Sequence, residues 1–321
     1  MKQKIYLIIA LVLLLAAAGY MVSDLFFTKP DSSNPYDFGM DSLRNADTSI
    51  VSWKESHSYT VSFIRPHGIA LDREGKLYIA GKDTLEILSL DGTYHEMITV
   101  PGEAWCIHVD TEGRIYLGME EEIRVLAPGG SKSESWKTEK GSLFTSIASS
   151  GEDIMAADYG KKIVNRFNRK GKLLSRLGQK DPALGIPGFI IPSPYFDLAF
   201  DGNGFLWVVN PGLHQFEKYD KEGHLISKWK RSSIDISGFC GCCNPSHMAF
   251  FNDSVFVTSE KAIERIKTYD LSGNLLSVVA LPESFDEGTK GLDLAVAEGG
   301  KILVLDPGRR QVRVFEEKNK P

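Results

Sequence analysis

Three of the four cysteines and one histidine of this chain fall within eight residues, in the segment Cys240-Gly-Cys-Cys-Asn-Pro-Ser-His247. We call it the Cys-rich segment. Thiolates and imidazoles bind zinc, copper or iron, so Cys240, Cys242, Cys243 and His247 are candidate metal ligands. Their spacing differs from that of a zinc knuckle or a ferredoxin cluster. The sequence therefore leaves the cofactor open, with a transition metal as one candidate.

The same cysteines fit two other chemistries. In an exported protein, Cys106, Cys240, Cys242 and Cys243 are candidates for disulfide bonds. A bond from Cys106 to the Cys-rich segment requires that loop to fold over the axis of the protein, because the two Cα atoms must come within about 7 Å. The third interpretation is a reducible pair of adjacent thiols, Cys242 and Cys243.

The elements that position these residues are predicted by an internal repeat. A unit that begins at His67 (HGIALDREGKLYIAG) recurs five more times along the chain, about 40 residues apart. The other copies begin at Trp105, Thr145, Phe196, Ser246 and Leu292.

Each copy contains short runs of β-branched and aromatic residues separated by tight-turn signals. The turns carry Asp and Gly, as in Asp72-Arg-Glu-Gly75, Asp110-Thr-Glu-Gly113 and Asp270-Leu-Ser-Gly273. A fourth strand follows the first three in most copies. Four-stranded units at this period build a β-propeller, so we predict an all-β fold with six blades around a channel.

A propeller must close its ring, because an open sheet edge exposes unpaired backbone groups. The last copy stops after its third strand, Gln311–Phe315, and a surplus strand, Ser58–Ile64, precedes the first copy. The N-terminal strand is therefore predicted to supply the outer strand of blade six.

Alignment of the copies on Ala70, His108, Ala148, Ala199, Ala249 and Ala295 places one set of side chains at the start of each innermost strand. This set should surround one mouth of the channel. Its members that can bind a ligand or move a proton are His67, Cys106, Asp197, His247 and Asp293. Structural contacts between these polar side chains are the alternative interpretation.

Two long loops enter this face, Gly178–Pro194 and Lys230–Pro245, and the second contains most of the Cys-rich segment. Long loops on a rigid ring concentrate binding functions, so we expect them to cover the mouth. Glu260 and Lys261 are interpreted as a turn pair.

The N-terminus predicts export. Lys2 and Lys4 precede an uncharged apolar stretch from Ile5 to Val22, which as a helix is about 27 Å long, close to the thickness of a bilayer core. We expect an uncleaved anchor with the rest of the chain on the extracytoplasmic side, and a cleaved signal peptide is the alternative. The predicted organisation is anchor or signal 1–27, linker 28–51, propeller 52–317 and tail 318–321.

Arg65-Pro-His-Gly-Ile-Ala-Leu-Asp72 and Gly75-Lys-Leu-Tyr-Ile-Ala80 resemble the blade motif of the NHL-repeat family. The resemblance covers about residues 58–317 and implies a six-bladed propeller. The Gly-Cys-Cys-Asn-Pro stretch is similar to one found in uncharacterised, membrane-anchored propellers of this type. This likeness supports a site but implies no activity.

A more distant resemblance is to the peptidyl-α-hydroxyglycine α-amidating lyases, which hold zinc with three histidines near the propeller axis. Pro66-His67-Gly-Ile is similar to one of their ligand segments, and His247 opens a blade in a comparable place. A third histidine and the catalytic Tyr and Arg of that family have no match here.

Composition excludes one class of function. A net charge of −5 and the absence of a long basic run argue against nucleic-acid binding. We therefore expect a membrane-anchored binding or scaffolding module, an accessory subunit of a membrane complex, that docks a protein or a small ligand at the channel mouth. A metal- or thiol-dependent enzyme or redox protein is the alternative.

Overall fold

A computed structural model of the chain describes residues 6, 11–21, 47–180 and 188–318. The chain divides into two units, residues 1–43 and 44–321. In the first unit, residues 11–21 are helical with exposed side chains. Within the described part, no helix has the length and apolarity needed to cross a bilayer. The predicted anchor is thus described only in part, and residues 28–46 of the predicted linker and 319–321 of the predicted tail lie outside the description.

The second unit is the predicted six-bladed propeller. Its strands form six sheets in chain order, and the innermost strands of neighbouring sheets contact each other around the whole ring. The blades are: one, β2 (Pro66–Leu71), β3 (Leu77–Leu88) and β4 (Tyr94–Glu103); two, β5 (Cys106–Val109), β6 (Ile115–Gly118), β7 (Glu122–Leu126) and β8 (Ser133–Lys137); three, β9 (Phe144–Ser150), β10 (Asp153–Asp158), β11 (Ile163–Asn168) and β12 (Leu173–Leu177); four, β13 (Leu198–Phe200), β14 (Leu206–Asn210), β15 (Gln215–Tyr219) and β16 (Leu225–Lys230); five, β17 (His247–Asn252), β18 (Val255–Ser259), β19 (Ile266–Asp270) and β20 (Leu275–Ala280); six, β21 (Leu294–Ala297), β22 (Lys301–Asp306), β23 (Gln311–Glu317) and β1 (Trp53–Thr60). Short 3₁₀ turns occur at Thr48–Ile50, Pro128–Gly130, Pro211–Leu213 and Pro282–Ser284.

Strand β3 of blade one covers two strands of the repeat. Its first half pairs with β2 and its second half with β4. Asp83, with a φ of 56°, lies where the pairing changes.

The Asp-x-x-Gly turns show why the repeat folds locally. One Asp72 carboxylate oxygen accepts hydrogen bonds from the backbone N–H groups of Glu74 (2.9 Å) and Lys76 (2.8 Å). Gly75 supplies the left-handed conformation of the turn, with a φ of 78°. The other oxygen accepts from the Tyr78 hydroxyl at 3.1 Å. The turn therefore fixes both the hairpin and an aromatic side chain of its second strand.

Ring closure by the N-terminal strand is confirmed. Strand β1 pairs antiparallel with β23, and Ser58 lies opposite Arg313. The predicted bounds Ser58–Ile64 are wrong, since the strand runs from Trp53 to Thr60. Beyond it, the Val61 N–H makes one further hydrogen bond, to the Arg310 carbonyl at 2.8 Å. Val61 and Phe63 are buried in the apolar cluster between blades six and one, which explains why their alternation looked like a strand.

Trp53 is the residue through which closure can be tested. It is buried in the apolar cluster of blades five and six, and its indole N–H donates to the Ser277 hydroxyl at 2.9 Å. We expect Trp53→Ala to lower the free energy of unfolding by about 3–5 kcal/mol, the usual effect of removing a buried Trp side chain.

Urea denaturation followed by circular dichroism measures this change. Lys54→Ala, at an exposed position of the same strand, is the control and should change stability by less than about 0.5 kcal/mol. Equal destabilisation by the two substitutions would argue against closure by β1.

Candidate functional site

The residues predicted to surround the mouth lie together, and most of them connect one blade to the next. Six residues occupy the repeat position two residues before the aligned Ala or His, which we call the ring position. They are Gly68, Cys106, Ser146, Asp197, His247 and Asp293. Each contacts the following blade, and the kind of contact depends on the residue type.

The two aspartates accept backbone hydrogen bonds across blade boundaries. Asp197 of blade four accepts from the N–H of Met248 in blade five at 2.7 Å. Asp293 of blade six accepts from the N–H of Ile69 in blade one at 2.8 Å. Their second oxygens accept from the N–H groups of Leu198 and Leu294. Both carboxylates are therefore engaged in holding the ring together.

Neutral residues make the contacts between the first four blades. The Cys106 thiol donates to the Phe144 carbonyl of blade three at 3.6 Å, and the Ser146 hydroxyl donates to the Leu198 carbonyl of blade four at 3.2 Å. At Gly68 the backbones approach so closely that a Cβ would lie 3.1 Å from the Cα of Cys106. Any larger side chain at residue 68 would push blades one and two apart.

His247 completes the ring between blades five and six. Its Nδ1 lies 3.3 Å from an Asp293 carboxylate oxygen and 3.7 Å from one of Asp197. Burial raises the pKa of both carboxyl groups against the opposing effect of His247, and that of Asp293 reaches about 6. The three side chains form one buried unit that can hold a proton.

His67 lies at the rim rather than in this ring. Its Nε2 is 2.7 Å from a Glu103 carboxylate oxygen, and its ring stacks on Trp105 with centroids 4.7 Å apart. The Arg65 guanidinium donates to the same Glu103 oxygen at 2.5 Å. Sequence reasoning missed Glu103, which is the last residue of the outer strand of blade one and carries no repeat signal.

A cavity of about 500 Å³ opens above this ring, and we call it the mouth cavity. Aromatic, imidazole and cationic side chains supply most of its polar and planar surface. They are Arg65, His67, Trp105, Tyr195, His247, Lys290 and Arg310. Below the ring, the channel itself encloses about 310 Å³ between the innermost strands of all six blades.

The predicted metal site is not formed by the described residues. No group of three or more His, Cys, Asp or Glu side chains among them is arranged to hold a metal ion. Cys240 lies beside Arg265, with its sulfur 3.9 Å from the guanidinium, whereas His247 belongs to the ring. Cys240, Cys242, Cys243 and His247 therefore do not converge.

The predicted disulfides are also absent, since all four cysteines are free thiols. Cys106 is buried and directed at the backbone of blade three, so it cannot reach the Cys-rich segment from there. Burial raises its pKa well above that of a free thiol.

Cys242 and Cys243 are adjacent in space as well as in sequence, with their sulfurs 3.1 Å apart. Cys242 is exposed and Cys243 is 2% exposed. Burial opposes ionisation of Cys243, but hydrogen bonds from Ser193 and Cys242 and the charge of Lys261 outweigh it and lower its pKa. The hydrogen bond to Cys243 raises the pKa of Cys242.

Lys261 and Ser193 bring the two long loops together beside these thiols. The Lys261 ammonium donates to the Ser193 hydroxyl at 2.9 Å and lies 4.7 Å from the centre of the Tyr195 ring. Tyr195 in turn meets the His247 ring edge-on at 5.7 Å. Pro194 of the first long loop lines the mouth cavity, whereas none of residues 230–245 does, so the expectation that the second loop covers the mouth is not met; residues 181–187 lie outside the description.

Glu260 and Lys261 lie in the turn between β18 and β19, as interpreted from the sequence, but the Glu260 side chain belongs to a buried ion cluster that this interpretation missed. Glu260 is 1% exposed, and both of its carboxylate oxygens accept from the Arg265 guanidinium, at 2.9 and 2.7 Å. The Lys267 ammonium, also buried, lies 2.7 Å from the same carboxylate, and burial lowers the pKa of Lys267 to about 8. The available signal was the pair of charged residues on either side of Ile266, with Arg265 just before β19 and Lys267 within it.

This buried ion cluster fixes the loop that leads to the Cys-rich segment. Lys267 donates to the carbonyls of Gly238 (2.6 Å) and Ile236 (3.0 Å), and Arg265 donates to that of Gly238 at 3.2 Å. These hydrogen bonds satisfy buried carbonyls of the loop and add to the packing of Phe239, which is fully buried, so that the loop obtains a defined path.

Comparison with known proteins agrees with the fold. No protein-family model matches the chain, and no curated protein matches it by sequence. The resemblance to NHL repeats therefore rests on the blade motifs alone.

Solved propellers match its structure at low identity. A streptogramin B lyase has a TM-score of 0.56 and 11% identity, over 83% of this chain and 98% of that one. Virginiamycin B lyase from Staphylococcus aureus gives 0.57 and 12%, over 83% and 100%. The Pan2 WD40 domain of Neurospora crassa gives 0.58 and 11%, over 84% and 96%. At these identities the likeness shows the fold and no activity.

The raised pKa of Asp293 predicts a pH dependence of stability. Between the ordinary Asp pKa of 3.8 and about 6, the folded protein binds a proton at Asp293 that the unfolded chain releases. Stability from this group is therefore present at low pH and is lost as the pH rises through about 6, by up to about 3 kcal/mol. Asp293→Asn keeps an acceptor for Ile69 but removes this titration.

Urea denaturation of both proteins at several pH values checks the prediction. As the pH rises through 6, the unfolding free energy of the wild type should fall relative to that of the Asp293→Asn variant. Parallel pH profiles would show that Asp293 titrates normally.

Proposed function

We propose that this protein is an extracytoplasmic binding module whose mouth cavity takes a small ligand with an aromatic ring and a negatively charged group. The lining of the cavity carries this proposal. Rings on several sides and cations at the rim fit such a ligand, and its volume of about 500 Å³ is in the range of small-molecule sites.

The rim supplies uncompensated positive charge. Arg65 shares Glu103 with His67, so its charge is already balanced. Lys290 and Arg310 are exposed, and neither side chain has an ion-pair partner within the described ranges. No carboxylate from those ranges lines the cavity. An anionic group of a ligand would therefore meet two cations without a competing carboxylate.

The walls favour a planar group. Trp105 and His67 are stacked in parallel, and Tyr195 stands edge-on to His247. Rings bind a planar ligand by stacking or by edge contacts worth about 0.5–1.5 kcal/mol per pair. A virginiamycin B lyase variant solved with quinupristin supports the view that a propeller of this size can hold a small molecule.

Export and membrane anchoring are part of the proposal. They are supported by Lys2 and Lys4 before the apolar N-terminal stretch and by the exposed apolar side chains of residues 11–15. An anchored propeller can present its mouth to a membrane complex as an accessory subunit.

Two measurements test this location. The propeller should sediment with membranes. Protease added to cells from which any outer barrier has been removed should degrade it. Protection from protease would contradict the proposed side.

Ligand binding can be tested with 2-naphthoate and its neutral analogue 2-naphthamide as probes, by calorimetric titration of the full chain. We expect naphthoate to bind more tightly than the amide. The double variant Lys290→Glu/Arg310→Glu should weaken naphthoate binding at least tenfold, because it reverses both free rim charges.

Lys54→Glu/Lys170→Glu is the matched control, since it makes the same charge change at exposed positions away from the cavity. The control should bind naphthoate as the wild type does. Equal loss in both double variants, or equal affinity for the acid and the amide, would contradict an anion site at the mouth.

A further inference from the structure

We propose that Cys242 and Cys243 are a redox-active dithiol, which exchanges electrons with a disulfide that reaches the exposed sulfur of Cys242. The binding function proposed above does not use these thiols. The inference rests on the contact between the two sulfurs, their unequal exposure and the cation beside them.

The two sulfurs are positioned to form a bond with each other. They are 3.1 Å apart, and a disulfide bond is about 2.05 Å long, so oxidation requires an approach of about 1 Å. Neither of the other cysteines competes for the bond, because Cys106 is directed at blade three and Cys240 at Arg265.

The segment is held in this arrangement by Asn244. Its amide donates to the carbonyls of Cys240 (2.6 Å) and Lys261 (3.0 Å), and its carbonyl accepts from the Lys261 N–H at 2.9 Å. His214 Nε2 contacts the Gly241 carbonyl at 2.5 Å. The thiols are therefore fixed against Lys261 rather than carried on a free loop.

Unequal exposure assigns a role to each thiol. Only Cys242 is open to solvent, so an external disulfide R–S–S–R′ meets this sulfur first. Cys243 is buried beside Lys261 and Ser193, whose charge and hydrogen bond stabilise its thiolate. The Cys242 thiol lies 3.1 Å from the Cys243 sulfur, so its proton has an acceptor in contact when Cys242 attacks, and Cys243 can then act as the resolving nucleophile.

The thiol–disulfide exchange proceeds in two steps. Cys242 transfers its proton to the Cys243 thiolate and attacks R–S–S–R′, so that a Cys242–S–S–R bond forms and the S–S bond of the substrate breaks. The leaving R′S⁻ takes the proton back from Cys243 and departs as the thiol R′SH, which regenerates the Cys243 thiolate. The Cys243 thiolate then attacks the sulfur of Cys242, which forms the Cys242–Cys243 disulfide and releases RS⁻. The protein loses two electrons, and the substrate disulfide gains them.

The place of the thiols suggests how a substrate would arrive. Lys261 links them to Tyr195, which lines the mouth cavity. A disulfide on a ligand or partner docked at the mouth would approach Cys242 from this side.

The experiment incubates the full-length protein with glutathione disulfide as the probe and maps the products by mass spectrometry of peptides. We expect a loss of two hydrogens confined to a peptide that contains Cys242 and Cys243. Cys243→Ser should instead accumulate a glutathione adduct on Cys242, because the resolving thiol is gone. Cys106→Ser and Cys240→Ser should react as the wild type does.

Lys261→Met tests the role of the cation. It should slow exchange near neutral pH about tenfold and move the rate profile to higher pH, as expected for an increase of about one unit in a thiol pKa. Circular dichroism verifies that each variant is folded. The exposed Cys242→Ala substitution, which leaves the buried residue in place, should abolish the reaction.

Three results would overturn the proposal: a disulfide that involves Cys240 or Cys106, no reaction of the folded protein, or equal rates for the folded and the guanidinium-unfolded chain. Lys290→Glu/Arg310→Glu should exchange normally, so failure of the ligand site and failure of the dithiol are distinguishable.

Discussion

The same repeat position in every blade contacts the neighbouring blade, although five different residue types occupy it. A glycine, a thiol, a hydroxyl, two carboxylates and an imidazole make these contacts in turn, from Gly68 around to Asp293. Backbone groups at the start of an innermost strand have no partner within their own sheet, so a side chain from the previous blade satisfies them or packs against them. The mouth cavity and its rim are positioned by this set of contacts.

The loop between blades four and five is held by buried charge as well as by apolar packing. Phe239 packs in the aromatic cluster of these two blades, and the pair Arg265 and Lys267 holds the carbonyls of the loop. Two cations can be buried there because Glu260 lies between them and because backbone oxygens accept their remaining hydrogens. Order in this loop in turn keeps the thiols of Cys242 and Cys243 beside Lys261.

The fold was predictable because its signals are local. An Asp-x-x-Gly turn specifies its own hairpin within five residues, as Asp72 does, and six copies of one unit leave a propeller as the natural closed arrangement. The bounds of β1 were not predictable, since the burial of Val61 and Phe63 continues the alternation of the strand past its end at Thr60. The neighbours at the mouth followed from alignment of the repeats. Their partners did not, because Asp197 bonds a backbone group 51 residues away and Asp293 one 224 residues away. Burial of Glu260 depends on a loop whose path the sequence does not specify.

Polar residues that surround the axis of a propeller are readily interpreted as catalytic. In this molecule the carboxylate oxygens of Asp197 and Asp293 accept hydrogen bonds from main-chain amides of the next blade. Acidic residues that recur at this repeat position would therefore indicate contacts between blades rather than catalysis. Reactive side chains would instead lie outside the ring positions, where loops from two blades meet and the repeat does not constrain the residue type. A search for activity in other toroidal proteins can begin with side chains that break the internal symmetry.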